Sequence, residues 1–165
     1  MVEIDASTLI EISEDENEIY QIYGEYVKEK RERLSIEIQL EQLAESVLQK
    51  MDESAVADMD YSDESIDLLE NIIDSAFENS EKEYVDQDLV DSISTDLGAY
   101  FGLTIIKSLG GEWRFRKDLF HSSIYFGSID KECFPFHKLT KRLLYGKNDS
   151  LASFYDELLE IMDAL

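Results

Sequence analysis

Eight carboxylates fall between positions 58 and 78: Asp58, Asp60, Asp63, Glu64, Asp67, Glu70, Asp74 and Glu78. Such a run can bind a metal cation, do acid–base work, or present a negative surface to a basic partner. The three possibilities make different demands on spacing. Asp58, Asp60 and Ser62 match the first three ligand positions of a calcium loop. The match then fails, because Asp63 stands where the sharp turn needs glycine and Leu69 where a bidentate glutamate belongs. No carboxylate pair is set apart by a pattern that would mark a general acid and its base. A surface for a basic partner needs only charge density. The stretch 52–91 supplies it, with 15 acids against one base, Lys82. Like charges crowded on one helix face destabilise the helix, and a partner's positive charge relieves that repulsion. The expected contact residues are these eight carboxylates, with Tyr61 as an aromatic anchor.

Other chemistry-bearing residues read more simply. Cys133 and His137 are four apart, but Pro135 between them argues against a shared helix face. Cys133 is expected to be a small buried hydrophobe. His121-Ser122-Ser123 falls in an expected strand and fits no hydrolase signature. Gly110-Gly111 reads as a helix stop, since no phosphate-loop pattern accompanies it. Trp113-Arg114-Phe115-Arg116-Lys117, with Lys138, Lys141 and Arg142, interleaves bases with aromatics as nucleic-acid binders do. The expectation is different here: Trp113 and Phe115 face the core, and Arg114 and Arg116 pair with acids of the N-terminal half.

The totals favour this reading. With 15 Lys+Arg against 38 Asp+Glu, the 165 residues carry a net charge of −23. Residues 1–97 hold 29 acids and 6 bases, and residues 98–165 hold 9 of each, so the whole imbalance lies in the first part. That field repels nucleic acid and anionic membrane and attracts basic proteins. At 44% hydrophobic and 11% aromatic, the chain is not a disordered acidic tail. A chain this long should bury roughly 70% of its unfolded surface as one domain. One cysteine excludes an intrachain disulfide and a multi-cysteine zinc site. The first residues lack a signal-peptide pattern, and no apolar run approaches the roughly 20 residues of a membrane span. The expected setting is the cytoplasm, with no cofactor and no metal.

These residues must be positioned by long helices, since only 7 glycines and 1 proline interrupt the chain. Residues 1–11 are ambiguous between a short strand and a helix lead-in. Ser13 and Glu16 resemble a capping box. Ile19, Ile22, Tyr23, Tyr26 and Val27, then Ile36, Leu40, Leu43, Val47 and Met51, recur at helical spacing. They give one long helix, or two broken near Leu34-Ser35. Residues 52–62 read as a connection. Ser62 opens a helix with Ile66, Leu69, Ile73, Ala76 and Phe77 on one face and most of its acids towards the other. A break is expected at 79–83. A longer helix from about Asp86 to Ser108 carries Ser94, Gly98 and Gly102 on one face, which allows close backbone approach. Period-two patterning then gives strands at 113–116 and 119–126, and Cys133 to Phe136 reads as an edge strand. Lys138–Tyr145 and a helix capped by Ser150 complete the chain. The fold class is α+β, mostly helical, with a small antiparallel sheet in the C-terminal half.

The second half also resembles a known group. Asp96-Leu97-Gly98-Ala99-Tyr100-Phe101-Gly102, Leu109-Gly110-Gly111-Glu112-Trp113, Phe134-Pro135-Phe136, Lys141-Arg142-Leu143 and Gly146 to Leu151 are similar to small bacterial immunity-type proteins of secreted or contact-delivered toxin systems. The resemblance covers about residues 96–155 and carries over no catalytic residue. It implies a non-enzymatic inhibitor of a cognate toxin domain, in the manner of contact-dependent growth inhibition; the acidic charge adds that this domain is basic, such as a nuclease. The alternative is a host regulatory or nucleic-acid-mimic binding protein. A third is a metal-dependent enzyme built on clustered carboxylates.

Overall fold

The computed structural model describes residues 25–51, 53–78 and 87–163, with the side chains at 55, 76–78, 87 and 89 outside that description. They form an α+β structure, with helices throughout and one three-stranded antiparallel sheet in the C-terminal half. The expectations for residues 1–24 and for a break at 79–83 lie outside the described residues.

The described chain begins extended. Val27 donates its N–H to the carbonyl of Phe115 at 2.6 Å, and Tyr26 and Val27 are both buried. The helix α1 then runs Lys30–Gln49 without a break at Leu34-Ser35. Glu29 caps it, its carboxylate accepting the backbone N–H groups of Arg31 at 3.1 Å and Glu32 at 2.9 Å. The helical spacing through Tyr26 and Val27 is therefore misleading. Their apolar side chains are spent on the sheet, and the first helical N–H groups find a carboxylate instead of a preceding turn. Further on, α1 buries Leu40, Ala44 and Val47. A single helical turn, α2 (Glu53–Val56), interrupts the expected connection.

Helix α3 (Asp63–Glu78) buries Ile66, Leu69 and Ile73 of the expected apolar face, and the side chains of Ala76 and Phe77 lie outside the described residues. Helix α4 (Gln87–Leu109) lies within one residue of its expected ends. Leu97, Ala99, Tyr100, Phe101 and Ile105 are buried along it, so it forms the centre of the molecule. Its small-residue stripe faces α5 (Pro135–Tyr145), where the Thr140 hydroxyl donates to Ser94 Oγ at 2.9 Å. At its end Gly110 and Gly111 both take left-handed backbone, φ +84° and +95°, which side chains beyond glycine adopt at a cost.

The sheet is β1 (Glu112–Arg114), β2 (Ser123–Phe126) and β3 (Lys131–Cys133), with β2 central. Trp113 pairs with Ile124, and Ile124 with Cys133. All three strand expectations change, and the first strand ends at Arg114, before Phe115-Arg116. Leu119–His121 is a 3-10 turn, held by Asp118 accepting the N–H of Phe120 at 3.1 Å, so the strand begins only at Ser123. Phe134 to Phe136 leave the edge strand to open α5, where Pro135 sits in the first turn and its missing N–H costs nothing. Trp113 and Phe115 are buried and stacked, with ring centroids 5.5 Å apart. The final helix α6 (Leu151–Asp163) follows Ser150, whose hydroxyl accepts the N–H of Ser153 at 3.2 Å.

The entry segment is tied down by a buried acid. Tyr26 donates its hydroxyl to both oxygens of Glu132, at 2.7 and 2.5 Å, and Ser123 donates to the same carboxylate at 2.9 Å. The guanidinium of Arg116 lies over the Tyr26 ring, 4.1 Å from its centroid. Arg114 stacks on Tyr125 and stands 3.8 Å from Glu132. Among the described partners of Arg114 the acid thus comes from β3, in the C-terminal half. Burial, reinforced by the bond to Glu132, pushes the Tyr26 hydroxyl up to about 12 from 10.0. Its folded-state pKa is raised, so the stability it contributes is present below pH 10 and lost as pH rises through 12. Tyr26→Phe removes the donor and leaves Glu132 short of one partner, which costs about 1–3 kcal/mol. Urea melts at pH 8 and pH 11 check both statements: the wild type should lose more stability than Tyr26→Phe over that interval.

Candidate partner-binding surface

Helix α3 divides its carboxylates between two tasks. Glu70 accepts the backbone N–H of Leu151 at 2.8 Å and Arg142 Nε at 3.3 Å. Asp74 accepts Arg142 Nη2 at 2.6 Å and lies 3.8 Å from Lys147 Nζ. The Arg142 side chain is only 4% exposed. Glu70 therefore seats the first turn of α6, where backbone N–H groups have no helical partner and the dipole favours negative charge. These two acids join α3 to α5 and α6, and their charge is largely met inside the chain.

Asp63 is exposed yet tied to the fold. It accepts the Tyr155 hydroxyl at 2.5 Å, and burial together with that bond pushes Tyr155 up to about 12. Asp58, Asp60, Glu64 and Asp67 are exposed. Ser62, through its hydroxyl and backbone N–H, holds the Asp60 carboxyl below its usual range, so it is charged at neutral pH. Tyr61 has left-handed backbone, φ 61°. Its ring stacks on Tyr100 at 4.6 Å, and Lys107 Nζ lies 4.5 Å from its centroid. Half of the expected aromatic anchor is thus already engaged with α4. Glu78 ends α3, and its side chain lies outside the described residues.

The exposed acids do not stand alone. Asp63, Glu64, Ile66 and Asp67 from α3 face Ala152, Tyr155, Asp156 and Leu159 from α6 across a shallow groove of about 280 Å³. Four carboxylates and no base line it, over a floor of Ile66, Ala152 and Leu159. A lysine or arginine side chain suits such a groove. Its aliphatic stem can lie on the apolar floor while its charged head meets the carboxylates. Asp156 was missed by sequence reasoning. It is one exposed acid on an amphipathic helix, and only the packing of α6 on α3 gives it neighbours.

The remaining chemical candidates are folded into the core. Cys133 is fully buried, and desolvation raises its thiol pKa, so it is held as the weakly nucleophilic thiol. His137 Nε2 stands 3.1 Å from His121 Nδ1, with the His137 ring stacked on Phe134. Cys133 and His137 belong to different elements, β3 and α5. A second, apolar cleft of about 190 Å³ is walled by Val47, Met51, Ile72, Ile73, Ile93 and Leu97, with the Lys50–Asp96 ion pair at its rim.

The molecule thus defined is a helical α+β protein with an acidic groove between its third and last helices. No family model matches the chain, and no curated protein or solved structure is significantly similar to it. Among the described residues, no helix is long and apolar enough to cross a membrane.

Proposed function

We propose that this protein is an immunity-type inhibitor, which binds a basic toxin domain through the acidic surface of α3 and blocks the site where that toxin holds its own anionic substrate. The observation that carries the reading is the groove in which Asp63, Glu64, Asp67 and Asp156 meet with no base among the lining residues. A nuclease groove is built to hold an array of phosphates, and carboxylates fixed on two rigid helices present a comparable array. Opposite charge also accelerates encounter, towards about 10⁸–10⁹ M⁻¹s⁻¹ at low salt.

The test is association kinetics against the product of the adjacent gene, co-expressed and purified. The variant is the triple reversal Glu64→Lys, Asp67→Lys, Asp156→Lys, which spares Asp63 because that carboxylate holds Tyr155. Association should slow by about tenfold or more at low salt, with the wild-type rate falling steeply as salt is added. Unchanged association would remove the groove from the interface.

A further inference from the structure

Helix α1 carries an apolar face that the fold does not use. Its core side is Leu40, Ala44 and Val47. Leu34 and Ile38 lie about 110° and 150° round the helix from that side and are 55% and 50% exposed. They belong to a longer stripe, Arg31, Leu34, Ile38, Glu41 and Glu45, all exposed. The spacing of three, four, three and four residues is that of a two-helix seam.

The charged residues of this stripe are segregated by sign, Arg31 at one end and Glu41 and Glu45 at the other. Lys28, Lys30, Arg31 and Arg33, four of the six bases in residues 1–97, sit at the N-terminal end of α1. The acids Glu37, Glu41 and Glu45 follow, with no base from 34 until the C-cap Lys50. Of the bases, Arg33 has a role in the fold, donating to the carbonyl of Trp113 at 2.8 Å. Neither Arg31 nor Glu41 has an ion-pair partner among the described residues.

We infer that a second copy of this chain docks on this face, the two α1 helices pairing antiparallel about a twofold axis between Leu34 and Ile38. In that register Leu34 of each copy meets Ile38 of the other, and Arg31 of each meets Glu41 of the other. The pattern is self-complementary, as an isologous interface requires. The reversed partner helix also brings acids to the basic end and bases to the acidic end. The remainder of the chain is strongly negative, and at about 0.15 M salt its repulsion is screened beyond about 8 Å while contacts in the seam persist. A seam with two apolar side chains per copy is small, so the dimer is weak, with a dissociation constant of about 10–100 µM. The dimer does not depend on what the acidic groove binds.

Sedimentation equilibrium of the full chain at about 10–500 µM in 0.15 M salt tests the inference. A reversible monomer–dimer equilibrium is expected. Leu34→Glu or Ile38→Glu should raise the dissociation constant more than tenfold, with an unchanged circular dichroism spectrum because both sites are exposed. Arg31→Glu and Glu41→Arg should each raise it about tenfold, since each is counted twice across the twofold axis. The double variant carrying both reversals should return to within about threefold of wild type. A chain that stays monomeric throughout, as it would if its own residues 1–24 covered the stripe, overturns the proposal. So does a dimer indifferent to these four substitutions, or one that the double reversal does not restore.

Discussion

Arg142→Ala should destabilise the protein by about 3–5 kcal/mol, the range for breaking a buried ion pair from one side. The guanidinium is 4% exposed and meets two carboxylates, Glu70 at 3.3 Å and Asp74 at 2.6 Å. Removing it leaves two partly buried acids facing each other in a chain already at net charge −23. Glu70→Gln should follow at about 1–3 kcal/mol, because the same carboxylate holds the Leu151 N–H at 2.8 Å. The informative comparison is within one helix. Glu64→Gln and Asp67→Asn change exposed acids and should leave stability within about 0.5 kcal/mol of wild type, or raise it slightly as repulsion falls. Chemical denaturation of the four variants at one pH separates the two groups. If Glu70→Gln matched Glu64→Gln, the assignment of Glu70 and Asp74 to the fold would be wrong.

Gly102→Ala should also destabilise strongly, although alanine is the better helix former by about 1 kcal/mol. An added Cβ would come within 2.4 Å of Trp113 Cη2, with Pro135 Cγ at 3.3 Å. Trp113 cannot yield readily, because its ring is buried, stacked on Phe115 and tilted against Phe136 at 6.1 Å. Gly98→Ala meets the same obstacle in Phe136, whose Cδ1 would lie 2.5 Å away and whose backbone Cα 3.3 Å. The first change forces α4 away from β1 and the second away from α5, and each should cost about 1–3 kcal/mol net of the propensity gain. The loss should appear as a lower denaturation midpoint at constant slope. A Gly102→Ala protein more stable than wild type would show that the helix crossing is looser than these distances require.

Much of this architecture was legible before any coordinates. The apolar period placed α3, α4 and α6 within about a residue, because each has a wide buried stripe and a polar opposite face. Ser94, Gly98 and Gly102 announced a close crossing, since small residues every fourth position leave a groove in a helix surface. Tyr26 and Val27 gave a false signal: buried apolar residues three and four places from others look helical whether or not the backbone is. What made them extended was the distant carbonyl of Phe115 and the carboxylate of Glu132, more than eighty residues away in sequence.

The candidate site shows the same division. Its charge, its placement in α3 and the exposure of Asp58, Asp60, Glu64 and Asp67 follow from composition and helical period. The separate fates of Glu70 and Asp74 do not, and neither does the entry of Asp156. Carboxylates on one polar face are chemically alike, and local pattern records only that the face is polar. Whether a given acid meets water or a buried guanidinium depends on which helix packs over it, and Arg142 reaches Asp74 across 68 residues of chain. The sequence by itself determined the periodicities and the sign of the field; tertiary packing alone decided which of those charges are spent on the fold and which remain for a partner.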